Sequence, residues 1–222
     1  MVLSYYYSND LNINEIGVDE VGRGPMFGRV YSAAVILPKN DSFKHELMKD
    51  SKQFSSVKKL KETAEYIKKN AIAYSIAYED EISIDKNNIK NATHIAMHKA
   101  IKNIIDINQK YIILVDGNDF KPITYFDISN NMIKEHGSVC IIGGDNKYTA
   151  IAAASILAKV ERDLYIEEMC IKYPKLNDLY DLLKNKGYGT KKHIQGIKEN
   201  GITQWHRKTF GICKTSNLIL ID

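Results

Sequence analysis

Apolar positions along the chain switch between a period of two and a period near three and a half. Ile13 to Gly22 reads as a strand, and Val30 to Leu37 as a second one, apolar and β-branched. Pro38-Lys39-Asn40-Asp41 marks a turn. Ser55 or Ser56 caps a predicted helix that runs to about Asn70, with Val57, Leu60, Ala64 and Ile67 at helical spacing. Ala71 to Ala77 alternates weakly and is read as a third strand. A long helix is predicted from Asp85 to about Ile105, with Ile89, Ala92, Ala96, Ala100 and Ile104 on one face. Tyr111 to Val115 is uniformly apolar, the pattern of a strand covered on both faces, and Asp116-Gly117 ends it. Val139 to Ile142 is a short strand closed by Gly143-Gly144-Asp145. Thr149 to about Met169 is a helix of small residues, and Leu176 to Asp222, less apolar and richer in Lys, reads as a helical cap.

Strands joined by short links come first, and strands alternating with helices follow. That order predicts an α/β fold with a mixed sheet flanked by helices. The composition shifts near Tyr173-Pro174, so the expected division is a main domain over 1–172, which carries the strand-end acids, and a helical cap over 173–222. With 222 residues, 44% hydrophobic and 26% charged, the chain has ordinary globular composition. Its apolar runs are far shorter than a membrane span, and Met1 to Asn14 has no basic-then-apolar leader pattern. Cys140, Cys170 and Cys213 are widely spaced and unpaired in pattern, which points to the cytoplasm or another reducing, soluble compartment.

The chemistry lies at strand ends. Gly17-Val18-Asp19-Glu20-Val21-Gly22-Arg23-Gly24-Pro25 sets two adjacent carboxylates and an Arg in a glycine-framed break. Adjacent acids repel, and a cation between them relieves the repulsion. Asp116 and Asp145 stand at two further strand ends, where ligands bind in open α/β sheets. Four such carboxylates form a hard-oxygen site for Mg²⁺ or Mn²⁺, and two ions roughly 4 Å apart clamp an in-line phosphodiester displacement. Neighbouring strand residues face opposite ways, so Asp19 and Glu20 share a site only if the strand bends or ends there. Asp163 competes for the fourth place but falls about 20 Å along the predicted helix. The Glu161-Arg162-Asp163 cluster is therefore read as solvated or as a packing pair, and the helix dipole near Asp145 is expected to favour an ionised carboxylate. Asp119 and Asp127 are expected on loop surface.

Net charge is +4, mildly basic and permissive of nucleic acid. The only arginines are Arg23, Arg29, Arg162 and Arg207, two of them close to the acidic pair. An Arg there suits bidentate phosphate contact, while Arg29 could equally neutralise a nearby acid. Gly22-x-Gly24 is no dinucleotide fingerprint, because Pro25 interrupts it and a strand follows. His94 and His98 are expected in helix packing or on the surface, and Lys191-Lys192-His193 on a solvated face or, near Tyr188, against backbone phosphate.

These motifs resemble those of ribonuclease HII over almost the whole chain. Gly17 to Gly28 is similar to the family's opening motif, and Asp50-Ser51-Lys52 to its Asp-Ser-Lys segment. Ile82 to Ala100 is similar to its long-helix entry, and Val115-Asp116-Gly117 and Gly143-Gly144-Asp145 to its later acidic motifs. Ile151 to Val160 with Arg162-Asp163, Lys186-Gly187-Tyr188-Gly189-Thr190 with His193, and His206-Arg207 with Phe210 complete the match. The resemblance implies a ribonuclease H-like sheet and an endonuclease that hydrolyses the RNA strand of RNA–DNA hybrids. It also implies action at ribonucleotides embedded in duplex DNA, leaving 5′-phosphate and 3′-hydroxyl ends. By resemblance Asp19, Glu20, Asp116 and Asp145 bind two ions, Mg²⁺ or Mn²⁺, and are catalytic. Gly22, Arg23 and Gly24 are similar to the loop that reads the ribose 2′-OH, Tyr188 to the tyrosine that stacks at the RNA–DNA junction, and Ser51 and Lys52 to phosphate-holding residues. The implied partner is the hybrid or ribonucleotide-containing DNA. A monomer is expected, away from membranes, with no clear clamp-binding motif after Phe210. Met26, Phe27 and Arg29 depart from the small residues and Pro usual in the family, Gln53-Phe54 replaces a more usual Lys-Leu, and Pro122 to Glu135 reads as an insertion. Two other classes remain open: a catalytically silent hybrid-binding protein, and a different metal-dependent nuclease on a related fold.

Overall fold

The computed structural model describes residues 3–10, 12–106 and 109–221. Met1, Val2 and Leu11, in the stretch read for a leader, and Asp222, at the end of the predicted cap, lie outside the described residues.

Strand β1 (Asn14–Val21) pairs antiparallel with β2 (Val30–Ile36), Ile16 facing Ile36 and Val21 facing Tyr31. Helix α1 (Val57–Asn70) starts where Ser56 Oγ accepts the Lys59 N–H, which settles the choice between the two serines. Strand β3 (Ala73–Glu79) returns antiparallel to β2. Helix α2 (Glu81–Lys102) starts earlier than expected, because Asp80 caps it through the Ser83 N–H. It breaks at Asn88, where φ is 63°, and the Asn88 side chain recaps the chain through the Asn91 N–H. Asp85, expected to open this helix, instead accepts the N–H groups of Lys208 and Thr209, tying α2 to the end of the chain.

Strand β4 (Tyr111–Asp116) lies parallel to β1. The segment read as an insertion, Pro122 to Glu135, is a hairpin of β5 (Thr124–Asp127) and β6 (Met132–Glu135), a two-stranded sheet of its own. Strand β7 (Gly137–Ile141) then lies parallel to β4. The main sheet has the order β3-β2-β1-β4-β7. Helix α3 (Thr149–Lys172) crosses it, followed by α4 (Lys175–Tyr180), α5 (Leu182–Asn185) and α6 (Lys191–Asn200). The last segment is not purely helical, since β8 (Ile202–Thr203) pairs with β9 (Leu218–Ile219). No helix among the described residues is long and apolar enough to cross a membrane.

Alternation along β1 assigns each face of the sheet. Ile16 and Val18 are fully buried against Met97, Ala100 and Ile101 of α2. The opposite face carries Ala33 and Val35 against α1 and the small residues of α3. Gly17 is what lets α3 come so near, for a Cβ there would sit 2.1 Å from the Ala150 carbonyl carbon. A third core joins Leu176, Tyr180 and Ile197 of the C-terminal segment to Phe27 and Tyr31 of the β1–β2 region and Ile166 of α3.

Gly17→Ala is expected to push α3 off the sheet and cost about 1–3 kcal/mol, the usual range for overpacking a core. Thermal melting followed by circular dichroism checks this, and an unchanged midpoint contradicts the tight approach.

Candidate active site

The β1–β4 register brings two acids together. Val18 stands abreast of Val115, the last pair of this ladder, and Asp19 and Asp116 are the next residue on each strand, near enough for their carboxylates to repel. Asp116 is itself paired with Ile141 of β7. A short 3₁₀ turn, Gly144–Asn146, follows β7 and carries Asp145. The Gly144 N–H donates to Asp116 Oδ1 at 2.6 Å and fastens this turn to the end of β4. Parallel strands with short exits thus gather three acids from segments far apart in sequence.

Glu20 takes the other face, as strand alternation requires. It lines a cavity of about 130 Å³ with Arg23, Thr93, His94, Met97 and Asp116. Asp19 lies on the α3 side, held by the Ser155 side chain and by the Glu20 N–H at 2.7 Å. β1 does not end at the pair: its pairing with β2 continues to Val21, while its pairing with β4 stops at Val18. The two acids flank Asp116 from opposite sides. Among the described residues no three acidic, His or Cys side chains stand together closely enough to enclose a cation as they lie.

The electrostatics of this cluster are unbalanced. Burial raises Asp19 well above the usual carboxylate range, and Glu20 and then Asp116 push it further. Burial also raises Glu20, with Asp116 adding to it and Arg23, 3.3 Å away, opposing. Asp145 is raised by burial, Asp116 and Asp50, against Lys52 and Asn146. Burial and two neighbouring acids thus act against the helix dipole expected to favour an ionised Asp145. Arg23 is the one cation paired with any of the four acids among the described residues. The donor set is all hard oxygen and short of positive charge, the character of a site for a small divalent cation.

The predicted substrate residues border this cluster. Ser51 Oγ lies 3.2 Å from Ser155 Oγ, the residue that also holds Asp19. Asp50 accepts the Lys52 N–H at 2.9 Å and sets the short turn on which Lys52 faces Asp145. On the other side, a Cβ on Gly24 would lie 3.5 Å from Tyr188 Cε1, so the half-exposed tyrosine ring covers the Gly22-Arg23-Gly24 loop.

Several residues differ from their sequence reading. Of the two readings of the Glu161-Arg162-Asp163 cluster, solvated or packing pair, burial favours packing, but not as a pair: Arg162 is fully buried and donates to the carbonyls of Arg29, Phe27 and Lys186, while Asp163 pairs with Lys159 at 2.7 Å. His193 is fully buried, not on a solvated face, and its Nε2 lies 3.0 Å from His206 Nε2. Arg29 stacks between the rings of Tyr78, 3.9 Å away, and Tyr165, 4.5 Å away, and makes no ion pair among the described residues. His94 and His98 bond to the carbonyls of Asp119 and Lys121, in line with a packing role. Asp119 and Asp127 form surface pairs with Lys90 and Lys134. Ser155 and Arg207 were not singled out for roles. Each sits in a motif that the family match covers, and that was the available signal.

Comparison with known proteins assigns the family and the fold. The family model described as Ribonuclease HII matches residues 16–213. A ribonuclease HII from Parabacteroides distasonis is 44% identical over 196 residues, covering 88% of this chain and 89% of its own. Among solved structures, the ribonuclease H2 of Pyrococcus horikoshii OT3 superposes with a TM-score of 0.67 at 22% identity, covering 91% of this chain and 96% of that one. Bst-RNase HIII in complex with Mn²⁺ superposes with a TM-score of 0.58 at 20% identity, covering 93% of this chain and 67% of that one. These two share the fold, a ribonuclease H-like mixed sheet between helices. By the family match and the identity with curated relatives, the chain belongs to the ribonuclease HII family, ribonuclease H enzymes that cut the RNA strand of RNA–DNA hybrids.

Proposed function

We propose that the enzyme also cuts at single ribonucleotides embedded in duplex DNA, leaving 5′-phosphate and 3′-hydroxyl ends. In this reading Asp19, Glu20, Asp116 and Asp145 hold two divalent cations, Mg²⁺ or Mn²⁺. The observation that supports it most is the placement of Asp19 and Asp116 just past the last pair of the β1–β4 ladder, with Asp145 tied in through Gly144. A divalent ion was bound in the Bst-RNase HIII structure, on the same fold. When bound, the cations polarise the scissile phosphate and lower the pKa of the attacking water.

The chain's own residues position the substrate around that centre. The Gly22-Arg23-Gly24 backbone takes the ribose 2′-OH, the group that separates RNA from DNA. Tyr188 stacks beside it, at the step where ribose gives way to deoxyribose. Ser51 and Lys52 hold backbone phosphate on the Asp145 side. The segment 173–222 serves as the substrate-binding cap, since it supplies Tyr188 and packs on the loop that reads ribose. The enzyme acts as a monomer in this reading.

The test is cleavage of three labelled duplexes, with and without Mg²⁺ or Mn²⁺: RNA over DNA, DNA with one ribonucleotide, and DNA alone. Metal-dependent cutting of the first two that spares the third is the expected result. Binding without cutting would replace this reading with a silent hybrid-binding protein, and cutting of the all-DNA duplex would point to a different nuclease. Tyr188→Ala is expected to lower cleavage at the single ribonucleotide by about tenfold, the worth of one stacked base. Long hybrid, which offers many registers, should lose less. Equal losses on both substrates would remove Tyr188 from the junction.

A further inference from the structure

The loop proposed to read ribose is held from below by an arginine to which no role has yet been given. Arg207 is fully buried, and its guanidinium spends its donors on backbone carbonyls alone. Nε donates to the Gly28 carbonyl at 2.8 Å, Nη1 to Arg23 at 2.9 Å and Nη2 to Gly22 at 2.6 Å. Arg162 does the same at the far end of the segment, reaching Arg29, Phe27 and Lys186. Backbone bonds complete the frame: Met26 N–H to Gly187, Gly28 N–H to Trp205, and Arg207 N–H to the Met26 carbonyl.

Peptide geometry turns this clamp into a statement about recognition. In a trans peptide the carbonyl of one residue and the N–H of the next point in opposite directions. No peptide bond among the described residues is cis. With the Gly22 and Arg23 carbonyls aimed at Arg207, the N–H groups of Arg23 and Gly24 are aimed away from it. Neither N–H has an acceptor among the described residues. Two successive free amides make a concavity suited to an oxygen ligand. Gly22, with φ of 91°, has no room for a side chain, since a Cβ would meet Arg162 Nε at 2.3 Å. Neither buried arginine has an ion-pair partner among the described residues; Glu81 and Asp85 act on Arg207, and Asp163 on Arg162, only from beyond ion-pair distance.

We infer that Arg207 is a positioning residue for ribose recognition: by holding the Gly22 and Arg23 carbonyls inward, it presents the Arg23 and Gly24 N–H groups to the ribose hydroxyl of the substrate. This rests on the reading that the Gly22-Arg23-Gly24 loop reads ribose. Lysine cannot replace the fork, because a point ammonium does not span three carbonyls in one plane.

The experiment compares wild type and Arg207→Lys in metal-free buffer by fluorescence anisotropy. The two probe duplexes are identical except for one ribonucleotide. Wild type should prefer the ribonucleotide duplex by about tenfold, the worth of one or two hydrogen bonds. A folded Arg207→Lys protein, checked by circular dichroism, should bind both alike while keeping its affinity for the all-DNA duplex. A purely structural loss would weaken both and leave the ratio intact. If wild type discriminates and the folded variant discriminates equally, the role of Arg207 falls and the ribose-reading loop stands. If wild type itself shows no preference, that loop falls and takes the inference with it. Should the variant fail to fold, the wild-type amide resonances decide. Arg23 and Gly24 should shift on adding the ribonucleotide duplex and not the all-DNA one, and identical responses to both would overturn the inference.

Discussion

Asp116→Asn is expected to lower turnover on RNA–DNA hybrid by at least about three powers of ten, ~4 kcal/mol of transition-state stabilisation. Asp116 is the acid every other one meets. It is near enough to Asp19 to repel it, shares a cavity with Glu20 and is bonded to the turn that carries Asp145. Asn keeps the size of the side chain and an oxygen that can still accept the Gly144 N–H. What it loses is the charge. That charge now pushes Asp19, Glu20 and Asp145 upward, so its removal relieves repulsion in the metal-free protein. Hence the variant should melt no lower than wild type without metal, and should gain less stability when Mg²⁺ or Mn²⁺ is added. Hybrid affinity should hold, because the loop, Tyr188 and Lys52 are untouched. Retained turnover would remove Asp116 from the metal site, and a lower metal-free melting point would show that the side chain is structural.

How far the sequence revealed this site depends on the distance over which each feature is decided. Asp19, Asp116 and Asp145 each end a short apolar run, and that signal is local. Parallel pairing of such runs then brings their ends together without further information. The opposite facing of Glu20 follows from strand alternation, but where its pairing stops is set by β4, which the local pattern does not contain. Arg162 and Arg207 were illegible for a different reason. Most of their partners lie in the segment Gly22 to Arg29, more than a hundred residues earlier, and the local pattern around Arg162 cannot tell a solvated cluster from a packed one. His193 was hidden by its two lysine neighbours. Helical period puts it with Gly196 and Ile197 on the buried side of α6 while those lysines stay out. The hairpin at Thr124–Glu135 was read only as added length. Its turn depends on Asn131 at a φ of 49°, a conformation that asparagine tolerates but does not announce.

Acidification is expected to unfasten the cap through the buried pair His193–His206. The hydrogen bonds allow one arrangement of protons. Thr203 N–H donates to His206 Nδ1 at 3.0 Å, so His206 carries its proton on Nε2 and gives it to His193 Nε2 at 3.0 Å. His193 then carries its proton on Nδ1 and donates to the Tyr188 carbonyl at 3.0 Å. A second proton on either ring sets N–H against N–H. The rings of Tyr180 and Phe27 pack on His206, Arg207 follows it in the chain, and no carboxylate pairs with either histidine among the described residues. Burial and His193 accordingly pull His206 down to about 3, and burial lowers His193 as well. The unfolded chain takes up these protons near pH 6.5 and the folded chain does not. Stability from the pair is therefore complete above about pH 6.5 and is lost progressively as pH falls toward 3, by on the order of 4 kcal/mol for His206. Asp19, Glu20 and Asp145 are raised and pull the other way, so the comparison must isolate the histidine. His206→Asn keeps an acceptor for the Thr203 N–H and removes the titration. Denaturant melts of both proteins from pH 7 to pH 4 should show a shallower loss in the variant, despite about 1–2 kcal/mol less stability at neutral pH. Parallel curves would mean that the acid sensitivity of the cap lies elsewhere. A shallower one would link the hold on the Tyr188 carbonyl to a single neutral imidazole.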